Sequence, residues 1–301
     1  MDYSVAIIGA GKMGAGYDSP DSKDILSHAH AFTANLQTKL IGIVDTDARQ
    51  GTREAARWST SYYPTLAELL KTGTPDIIVI ATPDSTHATI LEEALSAKPK
   101  LIICEKPIAS KLRDANTIRD LTAASTIPIV VNFSRRFDTR MVELKKELEP
   151  LRIISAHVRY GKGVHHIGSH LFDLLRYFFG DMTACQARSK IEDYPEDPSY
   201  GGSASFERCP AVDIEIVDSR RESVFDIEIV SDKARFRLFE LGHKLETPKG
   251  VDQTGLSNAA VKLVEHALAV IEGKEKPIVT VEDALKTFDA CEQFAHSYQE
   301  L

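Results

Sequence analysis

Short runs of apolar residues alternate with amphipathic stretches through the N-terminal part of the chain. Five of these runs are nearly continuous and end at a glycine or a polar residue: 4–8, 39–44, 76–81, 100–104 and 127–131. Strands of a parallel sheet show this pattern because they are buried on both faces. The intervening stretches predict helices at 46–58, 65–71, 84–97 and 110–124. The alternation indicates βαβ units and therefore a doubly wound parallel sheet.

After about residue 148 the hydrophobic pattern changes to alternation with a period of two. Phe225, Ile227 and Ile229, for example, alternate with more polar positions, which is typical of antiparallel strands with one solvated face. Strands are predicted at 152–160, 183–191, 202–207, 211–217, 223–230 and 234–239. Helices are predicted at 165–179, 256–272 and 281–298. We therefore expect an α/β domain at 1–132 and an α+β domain with a mostly antiparallel open sheet at 133–301, whose final helix packs back on the first domain.

Composition excludes several classes of protein. Of the 301 residues, 43% are hydrophobic and 27% are charged, as in a soluble globular protein. The net charge is −8, whereas a nucleic-acid binder is expected to carry an excess of basic residues. The four scattered cysteines form no CxxC pair, so no metal site is predicted. No apolar run reaches the roughly 18 residues of a membrane span, and no signal peptide precedes the first strand. A cytoplasmic location without a membrane partner is expected.

A glycine-rich loop follows the first predicted strand directly. Gly9, Gly11 and Gly14 fit G-x-G-x-x-G in the strand–turn–helix context that this motif requires, with Lys12 and Met13 inside it. The first glycine permits a tight turn, the second lets the backbone approach a diphosphate, and the third lets helix and strand pack closely. We expect these five residues to bind a dinucleotide at the N-terminus of the following helix.

Asp45 ends the second predicted strand, where a carboxylate accepts hydrogen bonds from the hydroxyls of the adenosine ribose. This position favours NAD over NADP, because a carboxylate repels a 2′-phosphate. Asp45 lies 31 residues after Gly14, further than the roughly 20 that is usual. A loop-like insertion at 17–26, rich in aspartate and serine, accounts for the excess. Alternatively, Asp45 simply caps the next helix.

Two further segments leave the carboxyl ends of predicted strands, where open parallel sheets bind ligands. The first carries Thr82, Pro83 and His87, and the second carries Glu105 and Lys106 followed by proline. We expect all five residues to contact the cofactor, although His87 could equally be a packing histidine. A cis peptide bond after Lys106 is not predicted from the sequence, since X-Pro is trans by default.

The three motifs G-x-G-x-x-G, A-T-P-x-x-x-H and E-K-P, in this order, resemble the glucose-fructose oxidoreductase/inositol dehydrogenase/rhizopine catabolism (Gfo/Idh/MocA) family. The resemblance implies a Rossmann cofactor domain, a substrate domain and an NAD(P)-dependent dehydrogenase that acts on a sugar, sugar acid, nucleotide sugar or cyclitol. It also implies a homodimer or homotetramer. In that family the lysine that Lys106 matches contacts the nicotinamide ribose and the reacting substrate hydroxyl. Its charge suits stabilisation of a developing oxyanion.

A cluster of polar residues interrupts the apolar helix predicted at 165–179. On a continuous helix, His166, His170 and Asp173 at i, i+4 and i+7 would share one face. The segment is similar to the family helix that carries D-x-x-x-H, and His170 matches its proton-transferring histidine. His166 replaces the family aspartate, which in that family helps to bind the substrate hydroxyls or to polarise the histidine. We assign His166 to catalysis and, with Asp173, to substrate binding. Two histidines without a third ligand do not make a metal site.

Two residues outside these motifs are also predicted to contact substrate. Arg136 follows the fifth predicted strand, and its guanidinium can donate two hydrogen bonds to a carboxylate or phosphate. Tyr160 ends the strand that leads to the histidine segment. A surface role for either residue remains an alternative.

Two other functions fit the domain plan. One is a dinucleotide-binding sensor or regulator that has lost turnover, which the replacement by His166 favours. The other is an oxidoreductase of the biliverdin-reductase type, against which the presence of both Lys106 and His170 argues. The preferred hypothesis is hydride transfer with Lys106 and His170 managing the hydroxyl proton.

Overall fold

The computed structural model describes residues 2–255 and 258–299. They form two compact units: the described parts of 1–137 with 257–285, and of 138–256 with 286–301. The sequence pattern instead suggested a single division at residue 132. The difference arises because local periodicity identifies a helix but does not indicate which unit it packs against.

The first unit contains a six-stranded parallel sheet. Its strands are β1 (Tyr3–Ile8), β2 (Thr38–Val44), β3 (Ser61–Tyr63), β4 (Ile77–Ile80), β5 (Leu101–Glu105) and β6 (Ile129–Asn132). They pair in the order β3-β2-β1-β4-β5-β6, so the predicted doubly wound sheet is confirmed. The order reverses between β1 and β4, which is where such sheets form a ligand crevice. The sequence did not predict β3, an edge strand of three residues that is too short to show periodicity.

Helices connect the strands of the first unit. They are α1 (His28–Ala34), α2 (Ala48–Arg57), α3 (Leu66–Leu70), α4 (His87–Ala97), α5 (Leu112–Ala123) and, near the C-terminus, α8 (Ala259–Ile271). The first two residues of the helix predicted at 256–272 lie outside the described residues. The side chain of Asp47 caps α2 by accepting the N–H groups of Arg49 and Gln50.

The second unit contains an eight-stranded sheet. Its strands are β7 (Ile153–Tyr160), β8 (Met182–Ile191), β9 (Ser199–Phe206), β10 (Cys209–Ile216), β11 (Phe225–Ser231), β12 (Arg235–Phe239), β13 (Lys244–Thr247) and β14 (Gly250–Asp252). They pair in the order β14-β13-β12-β11-β7-β10-β9-β8. Only the β7–β10 pair is parallel, which confirms the mostly antiparallel sheet. The sequence did not predict β13 and β14.

Three further helices are α6 (Thr139–Leu148), α7 (Gly168–Phe179) and α9 (Val281–His296). The sequence did not predict α6. Leu171, Leu174 and Leu175 of α7 belong to a buried apolar cluster with the inward side chains of the second sheet and with Phe294 of α9. Burial of this apolar face holds α7 and its histidines against the sheet.

The insertion predicted at 17–26 is a loop in the structure, and Asp18 closes it. One oxygen of its carboxylate accepts the N–H of Leu26 at 2.7 Å and Nδ1–H of His30 at 2.9 Å. The hydroxyl of Ser27 donates to the other oxygen. Burial alone would raise the pKa of Asp18, but the hydrogen bonds from Ser27, Leu26 and His30 outweigh burial and lower it.

Replacement of Asp18 by asparagine tests how strongly this carboxylate stabilises the first unit. Because the folded state lowers the pKa of Asp18, its stabilisation is fully present above the ordinary pKa of about 4 and is lost as the pH falls below it. We expect Asp18→Asn to reduce the free energy of unfolding by about 1–3 kcal/mol at pH 7 and by less near pH 3.5. Urea denaturation at both pH values measures the change. The exposed Asp24→Asn in the same loop is the control, and an equal loss in the two variants would contradict the assignment.

Candidate active site

The glycine loop follows β1 and turns beneath the end of β4. Gly9 has a φ of +101°, and a Cβ added to it would lie 2.5 Å from the carbonyl oxygen of Ala81. A Cβ on Gly14 would lie 1.9 Å from the carbonyl oxygen of Gly9. The protein itself therefore requires glycine at both positions. A Cβ on Gly11 would meet no atom of the described residues within 4 Å, so this side of the loop has room for a ligand group.

The helix expected after the loop is only one π-helical turn, Lys12–Gly16. Its backbone closes on the carbonyl oxygen of Gly11, which accepts the N–H of Ala15 at 2.9 Å. The indole N–H of Trp58 donates to the carbonyl oxygen of Ala15 at 2.9 Å. Lys12 is exposed and Met13 is half-buried. So short a helix contributes little dipole, and the close approach permitted by Gly11 is the main provision for a diphosphate.

Asp45 joins the end of β2 to the glycine loop. Its Oδ2 accepts the N–H of Ala10 at 2.7 Å, and its Oδ1 accepts the N–H of Asp47 at 2.8 Å. Asp47, not Asp45, caps α2. Asp45 is half-buried beside the motif, and each carboxylate oxygen retains acceptor capacity because it has two lone pairs. This position is compatible with the predicted contact to an adenosine ribose.

His87 connects two turns at the carboxyl edge of the sheet. It is almost completely buried, with Nδ1 3.0 Å from the carbonyl oxygen of Pro107 and Nε2 3.0 Å from that of Thr82. A hydrogen bond from this ring to a cofactor would require one of these contacts to break. The ring instead holds the Thr82–Pro83 turn against the turn that carries Lys106.

Glu105 is the last residue of β5 and its side chain is buried. Its Oε1 accepts Nε2–H of His28 at 2.7 Å and an amide N–H of Asn132 at 2.6 Å. Burial alone would raise the pKa of Glu105, but His28, Asn132 and the charge of Lys106 together lower it. The carboxylate therefore remains ionised beside Lys106 at neutral pH.

Lys106 is half-buried and follows this carboxylate directly. The peptide bond between Lys106 and Pro107 is cis, a form that the sequence alone does not predict. The trans preference at X-Pro is only about 0.5–1 kcal/mol, which tertiary contacts readily exceed.

Sequence reasoning missed His28 and Asn132 as parts of this site. Asn132 ends β6, and its place at the carboxyl end of a parallel strand is a signal that could have identified it. His28 lies 77 residues from Glu105, and no local pattern connects the two residues.

The predicted helix 165–179 begins with a different geometry from the one expected. Residues Gly163–Ile167 form a π-helical turn, and the regular helix α7 starts at Gly168. His170 and Asp173 lie buried on α7, whereas His166 lies half-buried on the preceding turn. The i, i+4, i+7 spacing therefore does not run along one regular helix, because the π turn changes the rotation per residue.

The loop between β8 and β9 supports this turn. Asp197 accepts the N–H groups of His165 at 3.1 Å and His166 at 2.8 Å. The imidazole of His166 stacks on Tyr194, with ring centroids 4.4 Å apart and planes inclined by 16°. Neither Tyr194 nor Asp197 was predicted. Asp197 thus places a carboxylate on the backbone next to the position where His166 replaces the family aspartate.

His165 takes part in a separate contact within the second unit. Its Nε2–H donates to the carboxylate of Glu292 at 2.8 Å, and its ring stacks on Phe288. The hydrogen bond from His165 lowers the pKa of Glu292, although burial opposes this effect. His165 therefore anchors the π turn to α9.

The structure buries both of the side chains, Arg136 and Tyr160, that were predicted to contact substrate outside the motifs. Arg136 is buried in a short turn, Ser134–Phe137, directly after β6 in the first unit. Tyr160 is fully buried, and its hydroxyl donates to the carbonyl oxygen of Tyr200 at 2.9 Å and accepts the N–H of the same residue at 3.0 Å. Strand β9 thus occupies the hydroxyl of Tyr160, and a hydrogen bond from it to a substrate would require one of these contacts to break.

Within the described residues, no group of three or more histidine, cysteine, aspartate or glutamate side chains is arranged to hold a metal ion. None of the helices in this part of the chain is long and apolar enough to span a bilayer.

The doubly wound sheet and its glycine loop define the first unit as a dinucleotide-binding domain. Residues 3–133 match the family model GFO_IDH_MocA, described as an oxidoreductase family with an NAD-binding Rossmann fold. This segment belongs to that family, which confirms the resemblance found in the sequence motifs.

Curated relatives align with this chain over only part of their own length. Inositol 2-dehydrogenase 2 of Paenarthrobacter aurescens is 28% identical over 229 residues, covering 66% of this chain and 64% of that protein. Inositol 2-dehydrogenase of Rhizobium meliloti is 26% identical over 153 residues, covering 51% of this chain and 42% of that protein. The chain thus spans less than two thirds of either relative.

Solved structures share the fold across nearly the whole chain. An Agrobacterium radiobacter oxidoreductase in complex with NAD+, L-tartaric acid and magnesium has a TM-score of 0.80 at 19% identity, over 99% of this chain and 96% of that one. The WlbA dehydrogenase of Chromobacterium violaceum, in complex with NADH and UDP-GlcNAcA, has a TM-score of 0.80 at 15% identity, over 98% and 93%. At these identities the likeness establishes the fold.

The contrast between Gly11 and Gly14 gives a test of the cofactor loop. We expect Gly11→Ala to lower NAD affinity at least about tenfold with little change in stability, because the added methyl occupies the ligand side only. Gly14→Ala should lower NAD affinity and also destabilise the fold by about 1–3 kcal/mol through its backbone clash. Calorimetric titration and urea denaturation measure the two quantities. Unchanged NAD affinity in Gly11→Ala would exclude a diphosphate at this loop.

Proposed function

We propose that the protein is an NAD-dependent oxidoreductase that transfers a hydride between nicotinamide and a carbinol carbon of a sugar, sugar acid, nucleotide sugar or cyclitol. This proposal rests on the residues that the structure brings to the carboxyl edge of the first sheet. There, a glycine loop with an open ligand side lies in the same domain as Lys106, which follows a buried, ionised carboxylate. The family match of residues 3–133 supports it.

Binding of the cofactor is assigned to the first unit. Gly9, Gly11, Lys12, Met13 and Gly14 form the diphosphate loop. The open side of Gly11 fits the group, because an uncrowded backbone is what a diphosphate requires. The bound NAD supplies the hydride acceptor or donor.

The remaining cofactor contacts are assigned to the ends of the neighbouring strands. Asp45 receives the adenosine ribose. The nicotinamide side of the cofactor is assigned to Thr82, Pro83, Glu105 and Lys106. Of these, Glu105 acts indirectly, through Lys106.

Proton transfer is assigned to Lys106 and His170. As the hydride leaves the carbinol carbon, the hydroxyl proton must leave the oxygen. The ammonium of Lys106 stabilises the developing negative charge, and the imidazole of His170 takes the proton because its ordinary pKa lies near neutrality. In the reverse direction the same groups return the proton. His166, Asp173 and Arg136 are assigned to binding the substrate hydroxyls or an acidic substituent.

The substrate class rests on the chemistry shared by the relatives. Inositol, L-tartaric acid and UDP-GlcNAcA, named for three similar proteins, are polyhydroxylated, and the last two are acidic. An arginine at the substrate side suits an acidic member of this group. Small-molecule partners are thus proposed, and the homodimer or homotetramer stays a prediction.

A dinucleotide-binding sensor of the same fold is the second candidate. The observation that favours it is His166, which stacks on Tyr194 where the family has a carboxylate. It predicts NAD binding without reduction of NAD by any polyol, sugar acid or nucleotide sugar.

Turnover of the two catalytic variants tests the proposal. We expect Lys106→Ala and His170→Ala each to lower kcat about 10²- to 10⁴-fold, since each removes a charge-stabilising or proton-transferring group. NADH formation is measured with sugars, uronates, nucleotide sugars and cyclitols. The exposed Lys111→Ala and His296→Ala are matched controls. Parent-like rates in both active-site variants would refute the assignment, whereas NAD binding without turnover by the parent would favour the sensor.

Replacement of Asp45 tests the choice of NAD over NADP. Because Asp45 also holds the N–H of Ala10, Asp45→Ala perturbs the loop as well as the ribose contact. Asp45→Asn keeps an oxygen acceptor for Ala10 and removes the charge. We expect both variants to lose NAD affinity, and Asp45→Asn to gain affinity for NADP relative to NAD by about tenfold. Equal losses for the two cofactors, measured by titration, would contradict the ribose contact.

A further inference from the structure

Two buried histidine–carboxylate pairs border the loop 17–27. His30 donates to Asp18, which closes the loop on itself. His28 donates to Glu105, which belongs to a different element and immediately precedes Lys106. The first pair lies within the loop and its helix, whereas the second connects the loop to the proposed catalytic turn.

We propose that His28 is a positioning residue for Lys106, acting through the carboxylate of Glu105. The loop 17–27 and the start of α1 then serve as a fixed support for the catalytic lysine. This inference rests on the proposed function.

The surroundings of Glu105 show why it needs this partner. A buried carboxylate that lacks hydrogen-bond donors takes up a proton, because the charged form is poorly solvated. His28 and Asn132 both donate to the same oxygen, Oε1, at 2.7 and 2.6 Å. They keep the charge on Glu105, and this charge attracts the ammonium of Lys106.

Few other titratable groups face Glu105 among the described residues. His28 approaches from α1, Lys106 follows in the same chain segment, and Asn132 on β6 is neutral. Burial, together with the charge of Glu105, raises the pKa of the Cys104 thiol, so this thiol stays uncharged at neutral pH. The charge beside Lys106 therefore depends on the hydrogen bonds that His28 and Asn132 donate to Glu105.

The position of His28 is fixed by the loop and not by its own helix. Helix α1 has only seven residues, which is too short to be stable without tertiary contacts. Ser27 caps it by accepting the N–H of His30 at 3.2 Å, and Asp18 in turn holds Ser27. The first helical residue, His28, is thereby directed at the end of β5.

The experiment compares His28→Leu, which removes the donor, with His28→Gln, which keeps one. His30→Leu is the matched control, because it breaks the other buried pair of the same loop. We expect His28→Leu to lower kcat about tenfold with the KM for NAD within twofold. We also expect its activity to decline about one pH unit earlier on the acidic side, because Glu105 without the His28 donor takes up a proton more readily and no longer attracts the ammonium of Lys106. His28→Gln should restore most of the parent profile, and His30→Leu should keep it.

A second measurement follows the protonation of Lys106 by NMR in the absence of substrate. Lysines are reductively methylated with ¹³C-formaldehyde, and the Lys106 signal is assigned by its loss in Lys106→Arg. We expect this signal to titrate at lower pH in Glu105→Gln than in the parent, because the neighbouring negative charge is lost. In His28→Leu we expect the signal to shift on acidification at a higher pH than in the parent, where Glu105 takes up its proton. Glu105→Gln preserves size and packing, so it serves if His28→Leu does not fold.

The two measurements separate the inference from the proposed function. A parent that turns over no substrate would remove the oxidoreductase proposal, yet the Lys106 titration would still be measurable. An unchanged Lys106 titration in Glu105→Gln would overturn the positioning role whatever the activity. The same would follow if His30→Leu altered the titration as strongly as His28→Leu.

Discussion

The buried carboxylate at the end of β5 is the constraint on which the first unit is organised. An ionised Glu105 is stable there only because donors reach it from two other elements: His28 from α1 and Asn132 from β6. Removing either donor would leave the buried charge with one hydrogen bond fewer and raise the pKa of Glu105. The loop that precedes α1 therefore has a structural purpose, since its clamp at Asp18 fixes the histidine that stabilises this carboxylate.

Side-chain hydrogen bonds add to backbone pairing in connecting the turns at the carboxyl edge of this sheet. Asp45 joins the end of β2 to the glycine loop, and His87 joins the Thr82 turn to the turn at Pro107. Each turn is held before any ligand arrives. Such preorganisation lowers the ordering cost of binding, which suits a domain that must receive an extended dinucleotide.

The second unit departs from the pattern that its sequence suggests. The histidine segment begins as a π turn, and its backbone is held by Asp197 from the loop between β8 and β9. His165 belongs to a contact with Glu292 and not to the candidate chemistry. His166, at the position where the family that the sequence resembles has an aspartate, stacks on Tyr194, so this aromatic ring supports the imidazole.

The sequence by itself determined the five long strands of the first sheet, the glycine loop and the alternating strands of the second sheet. These features depend on local periodicity or on adjacent residues, and both are visible in the chain. It did not reveal β3, β13, β14 or α6, which are short or weakly patterned, nor the burial of Tyr160. Only the tertiary structure decided the π turn at His166 and the contact between His28 and Glu105. That contact joins residues 77 positions apart, and such a hydrogen bond exists only once the strands have paired and the helix has docked.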